Sequence, residues 1–232
     1  MPAELSLSVA VPLFNEQENV EEFAGKLVRV LTESVPDHEI ILVDNGSSDN
    51  TNRLIDICTS RFPTIRKVAV PVNRGYGWGI ITGLRAARGE IIGWIDGDNE
   101  VPPETVVGAY RFLQEAELDL CCGQVLTADR SCRRKAVSAM FLLLFNLLYL
   151  SRYRSINGKP KLFRSRFLRP LGLSSHDWFI DAELMIKAKR LNLKTGFFPF
   201  QLNIRKGGES NVNWRTIREF VSNLVIARIK KP

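Results

Sequence analysis

Ten residues constrain this chain more than any others: Ile91-Ile92-Gly93-Trp94-Ile95-Asp96-Gly97-Asp98-Asn99-Glu100. The run opens as a short, branched apolar segment, the pattern of a buried strand. It ends in two carboxylates separated by one glycine, with a third acid two residues on. Pro102 and Pro103 then stop the strand and lead into a helix. Acids gathered at the end of a buried strand repel one another and lose hydration unless a cation joins them. Oxygen ligands suit a hard divalent ion, Mg²⁺ or Mn²⁺, which makes Asp96, Asp98 and Glu100 its expected ligands. Gly97 is expected to let the backbone turn so that both aspartates reach one centre. A strand-end turn with solvated acids fits the same ten residues, so the wider sequence has to decide.

The segments around this stretch alternate between strand and helix. Residues 7–11, 39–43 and 65–70 read as strands, and 18–31 and 52–61 as helices. A further helix reaches about residue 87; 103–117 and 118–126 read as helix and strand. Such alternation implies an α/β fold, a mostly parallel sheet flanked by helices, with ligands at the carboxyl ends of its strands. Two polar segments lie at that edge: Val11-Pro12-Leu13-Phe14-Asn15-Glu16 and Val43-Asp44-Asn45-Gly46-Ser47-Ser48-Asp49. Turn chemistry alone also favours Asp, Asn, Gly and Ser there. Gly75-Tyr76-Gly77-Trp78-Gly79 lacks the G-x-G-x-x-G spacing of a dinucleotide site and follows the third strand rather than the first. No P-loop sequence occurs.

With 232 residues, the chain is long enough for one large α/β domain. Cys58, Cys121, Cys122 and Cys132 form no C-x-x-C pair and are expected to be reduced and buried, in a cytosolic setting. Nothing in the first seven residues reads as a signal peptide. The net charge of +7 hides a division: 10 Lys and Arg against 19 Asp and Glu up to residue 127, and 22 against 6 beyond it. A basic second half points to an anionic partner, whether lipid phosphate, an anionic membrane or nucleic acid; a solvated basic surface also fits. No nucleic-acid motif occurs and few aromatics interleave with the cations, so nucleic acid is not expected.

Arg130, Arg133, Arg134 and Lys135 open that basic half. Residues 136–150 follow, apolar apart from Ser138 and Asn146. As a helix they span roughly 22 Å, short of a hydrocarbon core of roughly 30 Å. Cations at both ends suit a helix lying in the membrane interface; a buried core or dimer helix is the other reading. In Asn157-Gly158-Lys159-Pro160-Lys161-Leu162-Phe163-Arg164, Gly158 and Pro160 are expected to fix a turn that brings Lys161 and Arg164 together for phosphate. Asp177-Trp178-Phe179-Ile180-Asp181-Ala182-Glu183-Leu184 opens a helix with two acids in its first turn, where the helix dipole also favours them. Arg205-Lys206-Gly207-Gly208-Glu209-Ser210 precedes an amphipathic helix at 214–229.

The two strand-end segments and Asp96-Gly97-Asp98 together resemble the three signatures of the inverting GT-A glycosyltransferases of family 2, in the family's order. The segment at 157–164 resembles that of the polyprenyl-phosphate hexosyltransferases, the dolichol-phosphate mannose synthase group. The resemblance implies a single GT-A domain over 1–232, with 1–127 serving the nucleotide sugar and 128–232 the acceptor and membrane. It implies nucleotide-sugar binding by Pro12, Phe14, Glu16, Asp44, Gly75, Asp96, Gly97, Asp98, Arg205 and Ser210. It also implies Asp96, Asp98, Asp181, Glu183 and Arg205 as catalytic candidates, and Arg130, Arg133, Lys161 and Arg164 around the acceptor phosphate. Many members carry two acids where this chain has Asp44-Asn45.

The expected activity is hexose transfer from a GDP- or UDP-sugar to a polyprenyl or dolichyl phosphate, inverting and metal-dependent. It would take place on the cytoplasmic face of a membrane, in cell-envelope glycan synthesis, with a membrane-protein partner or a second copy of the chain. A hydroxyl acceptor, with Asp181 as base, is the alternative. His38 and His176, the chain's two histidines, lie in no catalytic-looking motif.

Overall fold

Seven short segments pair into one sheet in the computed structural model, which describes residues 5–35, 37–126 and 132–203, the side chains of 132–137 excepted. They are β1 (Leu7–Leu13), β2 (His38–Asp44), β3 (Ile65–Ala69), β4 (Ile91–Trp94), β5 (Leu120–Val125), β6 (Lys161–Arg164) and β7 (Thr195–Phe200). Their order is β3-β2-β1-β4-β6-β5-β7. Every neighbouring pair is parallel except those of β6, which runs antiparallel to both β4 and β5. This is the expected α/β fold with a mostly parallel sheet.

The helices are α1 (Val20–Ser34), α2 (Thr51–Arg61), α3 (Tyr76–Ala86), α4 (Glu104–Glu115), α5 (Cys132–Tyr149), α6 (Leu168–Leu171) and α7 (Ile180–Arg190). Helices α1, α2 and α4 share one core with Val9, Val11, Ile40 and Leu42. Helices α3, α5, α6 and α7 share another with Ala10, Ile92, Trp94 and Phe163. The central strands are covered on both faces, which is why β1 and β2 read as nearly continuous apolar runs. In α1, Val20, Phe23, Ala24, Leu27, Val30 and Leu31 recur every three or four residues and form its buried face.

Two strands were not legible as such. β6 lies inside the sheet, where the sequence suggested a phosphate-binding turn, and β7 lies at its edge. Helix α5 packs one side into the core and leaves the other exposed. Phe145 and Tyr149 enter the core, while Met140, Leu143 and Leu147 and then Leu150, just past the helix, form an exposed stripe. Among the described residues no helix is long and apolar enough to cross a membrane. Cys58, Cys121 and Cys122 are free and buried.

At the amino-terminal edge of the sheet, buried Glu39 ties several segments together. It accepts from Ser8 Oγ (2.7 Å), Arg66 Nη1 (2.8 Å), Arg88 Nη2 (2.8 Å) and the Arg88 amide (2.9 Å). This fixes β1, β2, β3 and the approach to β4 at one end, and so positions what emerges at the other.

Candidate active site

The carboxyl edge of the sheet gathers the polar residues. There the loops after β1 and β2 are stitched side by side. The Asn15 amide donates to Ser47 Oγ (3.1 Å), the Ser48 amide to Asn15 Oδ1 (2.9 Å), and the Glu16 amide to Thr51 Oγ1 (2.8 Å). Phe14 stands 46% exposed on this rim. Asp44 is buried, with Oδ1 accepting the Ser47 amide (3.0 Å) and Oδ2 accepting from Asn52 Nδ2. Asn45 donates from Nδ2 to the Gly75 carbonyl (3.0 Å), which links the loop after β2 to the start of α3.

Asp96 follows β4 and faces residues from three other parts of the chain. Tyr76, the first residue of α3, donates its hydroxyl to Asp96 Oδ1. Lys159 Nζ lies 3.8 Å from Asp96 Oδ2 and donates to Asp181 Oδ2 at 2.7 Å. Lys161 Nζ is 3.7 Å from Asp181 Oδ1. Burial, then Asp98 and Asp181 nearby, push the Asp96 carboxyl above its usual range, with Lys159 and Tyr76 opposing them. Burial works against charge on Lys159, but Asp181 and Asp96 outweigh it and raise its pKa. Burial and the charge of Asp96 hold the Tyr76 phenol protonated far above its ordinary value, as its role of donor requires. Trp178, 56% exposed, stacks on the Tyr76 ring at 4.1 Å between centroids.

Asp98 takes a different role from Asp96 in the turn that follows: its Oδ1 accepts the Glu100 amide at 3.0 Å. Asn99 adopts a left-handed conformation (φ 60°), and Asn203 clamps the turn through the Glu100 (2.9 Å) and Asn99 (3.0 Å) carbonyls. Among the described residues no three His, Cys, Asp or Glu side chains converge on one centre, so the expected cage of Asp96, Asp98 and Glu100 is not assembled.

The arrangement is a carboxylate-bearing cleft at strand carboxyl ends, with the Asp96 side chain 26% exposed and an aromatic stack and a buried lysine beside it. The family signature of Glycosyl transferase family 2 matches residues 8–185, most of the chain, a span that includes Tyr76, Asp96, Asp98, Lys159, Lys161 and Asp181. The chain belongs to glycosyl transferase family 2.

Its relatives within the curated proteins are consistent with that. It is 25% identical to a dolichyl-phosphate beta-glucosyltransferase of Trichomonas vaginalis over 91% of this chain and 70% of that protein. It is 25% identical to a dolichol-phosphate mannosyltransferase of Pyrococcus furiosus over 95% of this chain and 63% of that protein. An undecaprenyl-phosphate 4-deoxy-4-formamido-L-arabinose transferase of Pseudomonas fluorescens is 32% identical over 48% of this chain and 32% of its own length. The chain thus spans between about a third and about two thirds of these relatives. The fold matches glucosyl-3-phosphoglycerate synthase from Mycobacterium tuberculosis, solved with Mn²⁺, uridine diphosphate and glucosyl-3-phosphoglycerate. The TM-score is 0.77 at 20% identity, over 99% of this chain and 82% of that one.

Within this family 2 domain several sequence expectations need correction. Lys161 and Arg164 do not lie together: their partners on β4 are Trp94 and Ile91, at opposite ends of that strand. Arg164 instead donates to the Leu118 carbonyl (3.1 Å) and pairs with Glu90 (3.0 Å) at the amino edge, away from the cleft. Lys161 is fully buried and donates to the Ile156 carbonyl. Glu183 turns away from Asp181 and accepts the Ser174 (3.1 Å) and Ser175 (2.8 Å) amides and the Lys187 ammonium (2.6 Å). It therefore holds the loop that presents Trp178.

Gly75, expected toward the nucleotide sugar, is tightly packed: a Cβ there would lie 2.3 Å from the His176 carbonyl, and one on Gly77 2.2 Å from that of Ser175. These glycines let α3 press against the 174–178 loop. Gly97 is small because a Cβ would meet Leu13 Cδ2 at 2.4 Å; the left-handed turn falls on Asn99 instead. Arg130, Arg205, Ser210 and the expected helix at 214–229 lie outside the described residues, and Arg133 lies in α5 without a described side chain.

Tyr76, Lys159 and Trp178 were not singled out by sequence. One signal was available for Lys159. Side chains alternate along a strand, so reading 159–164 as extended puts Lys159 with Lys161 and separates Lys161 from Arg164.

Proposed function

We propose that this chain transfers a hexosyl group from a GDP- or UDP-sugar to a polyprenyl or dolichyl phosphate, with inversion, at a membrane surface. The observation that carries the reading is the cleft itself. Asp96 and Asp98 follow β4, with Asp96 3.8 Å from the Lys159 ammonium that pairs with Asp181, in a chain matched over more than nine-tenths of its own length by proteins named for sugar transfer to dolichyl or dolichol phosphate. The whole of 1–232 serves as one catalytic domain in this reading. The loops after β1, β2 and β4 form the nucleotide-sugar side, with Pro12, Phe14, Glu16 and Asp44 toward the nucleotide.

The site residues fit a divalent cation. The donors are hard carboxylate oxygens on two residues of one turn, the oxygen chemistry that Mg²⁺ and Mn²⁺ take. Mg²⁺ is ordinarily held by one or two carboxylates plus substrate phosphates, so a missing three-acid cage is no obstacle. Asp96 and Asp98 would hold Mg²⁺ or Mn²⁺, which when bound neutralises charge on the leaving diphosphate. The protein's own part is to fix Asp96 through Tyr76 and to brace the 98–100 turn through Asn203. The acceptor oxygen attacks the anomeric carbon in line with the departing diphosphate. A phosphate acceptor is already ionised at neutral pH and asks for no strong base.

The exposed stripe of Met140, Leu143, Leu147 and Leu150, followed by exposed Arg152 and Arg154, suits an anionic bilayer surface. The reading includes peripheral attachment on the cytoplasmic face, alone or through a membrane-protein partner. A panel of radiolabelled GDP- and UDP-sugars with polyprenyl phosphate, scored for organic-phase product, tests the proposal. Label that reaches only water-soluble acceptors would refute it.

A further inference from the structure

Asp181 and the two lysines around it form a group that sugar transfer to a phosphate does not by itself explain. Asp181 is 2% exposed. Its Oδ2 accepts from Lys159 Nζ at 2.7 Å. Its Oδ1 is sealed from solvent, has no hydrogen-bond partner among the described residues, and lies 3.7 Å from Lys161 Nζ. Lys161 is wholly buried and fixed by the Ile156 carbonyl. Lys159 uses two of its three protons, on Asp181 and on the Asn157 carbonyl (3.2 Å). Asp96 Oδ2, at 3.8 Å, is beyond hydrogen-bond reach. The Tyr76 ring, its centroid 5.4 Å from Nζ, is the other near neighbour of this buried ammonium, so one of its protons is left without a hydrogen-bond acceptor and is available to a ligand oxygen that enters beside Asp96.

These distances separate two roles for Asp181. A general base has to offer a lone pair to the incoming hydroxyl at roughly 2.6–3.2 Å. Neither oxygen of Asp181 does this, since one is occupied by Lys159 and the other is closed off above Lys161. We propose that Asp181 is a positioning residue, that it holds Lys159 at the edge of the cleft, and that Lys159 takes the phosphate of the acceptor. This rests on the reading of the acceptor as a phosphate monoester.

In the transfer, an acceptor phosphate oxygen gives its lone pair to the anomeric carbon. The bond from that carbon to the diphosphate oxygen breaks, and its electron pair leaves with the diphosphate. The acceptor loses no proton, so no base is needed. Lys159 offsets the repulsion between two anions that must approach each other, which in a partly buried cleft is much stronger than in water. A lysine acts there as a compact point charge, matching one phosphate oxygen rather than a planar pair. An acceptor that is a neutral hydroxyl gains nothing from this cation and finds no base.

The test compares Lys159→Gln, Lys159→Arg and Asp181→Asn in the whole chain. The probe is a short-chain prenyl phosphate in detergent. Its binding is measured without donor, and transfer is measured with the nucleotide sugar that gives product in the panel above. Lys159→Gln is expected to weaken prenyl phosphate binding by about tenfold or more, the effect of one charged hydrogen bond, while nucleotide-sugar binding moves less than about threefold. Lys159→Arg should restore part of that loss. Asp181→Asn keeps an oxygen for Lys159 and should lose less than about 30-fold, mostly as a raised acceptor KM.

Loss of about 1,000-fold in kcat for Asp181→Asn, at unchanged acceptor KM, would make it a base and overturn the proposal. So would normal prenyl phosphate binding by Lys159→Gln. Where Lys159→Gln fails to fold, Lys159→Arg decides: a changed acceptor KM at constant donor affinity supports the assignment, and any other result overturns it. A wild-type chain that does not bind prenyl phosphate refutes the reading of the acceptor, whereas binding that ignores Lys159 refutes this assignment alone.

Discussion

Glu183→Gln distinguishes a carboxylate that acts on substrate from one that holds a loop. Burial alone would raise the pKa of Glu183, but the Lys187 ammonium and the Ser175 and Ser174 amides outweigh it and hold the carboxyl below its ordinary value. The Ser174 hydroxyl adds a further bond at 2.9 Å. Glutamine keeps one acceptor oxygen but presents an NH₂ group to donors that need a partner. About two charge-assisted bonds are lost, at about 1.5 kcal/mol each. Lys187, 27% exposed, regains some water, so the net cost is about 2–3 kcal/mol. For a chain of this size that lowers Tm by about 5–10 °C.

The sign with pH follows from the depressed pKa. The stabilisation is present above the unfolded value, near 4.5, and is lost as pH falls through the lower folded value. The gap in Tm between wild type and variant should therefore be full at pH 7.5 and shrink below about pH 4. Circular dichroism melts at pH 7.5 and 3.5 read this directly, with kcat measured on the same samples. Because the loop carries Trp178 onto Tyr76, transfer should fall by only about 3- to 30-fold, chiefly in KM. An unchanged Tm with kcat lost by about 1,000-fold would refute the structural role, as would a gap that persists undiminished at pH 3.5.

Three further outcomes are expected. Excess EDTA should abolish transfer, and Asp98→Asn should cost about 100-fold or more while Tm stays within about 2 °C, because an asparagine still accepts the Glu100 amide; full turnover in EDTA would contradict the cation. Leu143→Asp with Leu147→Asp should release the chain from anionic liposomes at nearly unchanged Tm, since both side chains are exposed and each charge costs roughly 2.5–3.5 kcal/mol at full depth and less at the interface; retention on the liposomes would show that the stripe is not the contact. Glu39→Gln should lower Tm by about 4–10 °C, through loss of about 2–3 kcal/mol of charged hydrogen bonding to Ser8, Arg66 and Arg88, with no change in nucleotide-sugar affinity by calorimetry; a variant that melts like wild type would show that the network is not needed.

The parts of the site that sequence revealed are those that local chemistry dictates. Parallel strands covered on both faces must be apolar runs, and the chain leaving them must turn, so the loops after β1, β2 and β4 were marked by abrupt changes from Val, Ile and Leu to Asp, Asn and Gly. β7 was hidden because Thr-Gly-Phe-Phe-Pro-Phe carries a glycine and a proline, which an edge strand tolerates and an inner one does not. β6 was hidden because two of its four residues are cations, and cations are ordinarily read as solvated. Lys161 is fully buried because Asp181, twenty residues further on, supplies the opposing charge; no local pattern carries that information.

The reversed direction of β6 explains how opposite charges meet at one edge. Strands that run parallel deliver their carboxyl ends to the same side, and in this chain those ends carry Asp44 and Asp96. An additional parallel strand would add another end of the same kind. β6, inserted antiparallel between β4 and β5, brings its beginning to that side, and its beginning is Lys159-Pro160-Lys161. Asp181 then arrives from the first turn of α7 and binds both lysines. Asp96, Asp98 and Asp181 thus stand against Lys159 and Lys161, three carboxylates to two ammonium groups. The lysines answer Asp181 first; burial, then the neighbouring Asp98 and Asp181, raise the Asp96 pKa against the pull of Lys159. A parallel strand in the place of β6 would have turned Arg164 toward the cleft and Lys159 away from it, and Asp181 would be a buried, unpaired charge costing about 3–5 kcal/mol.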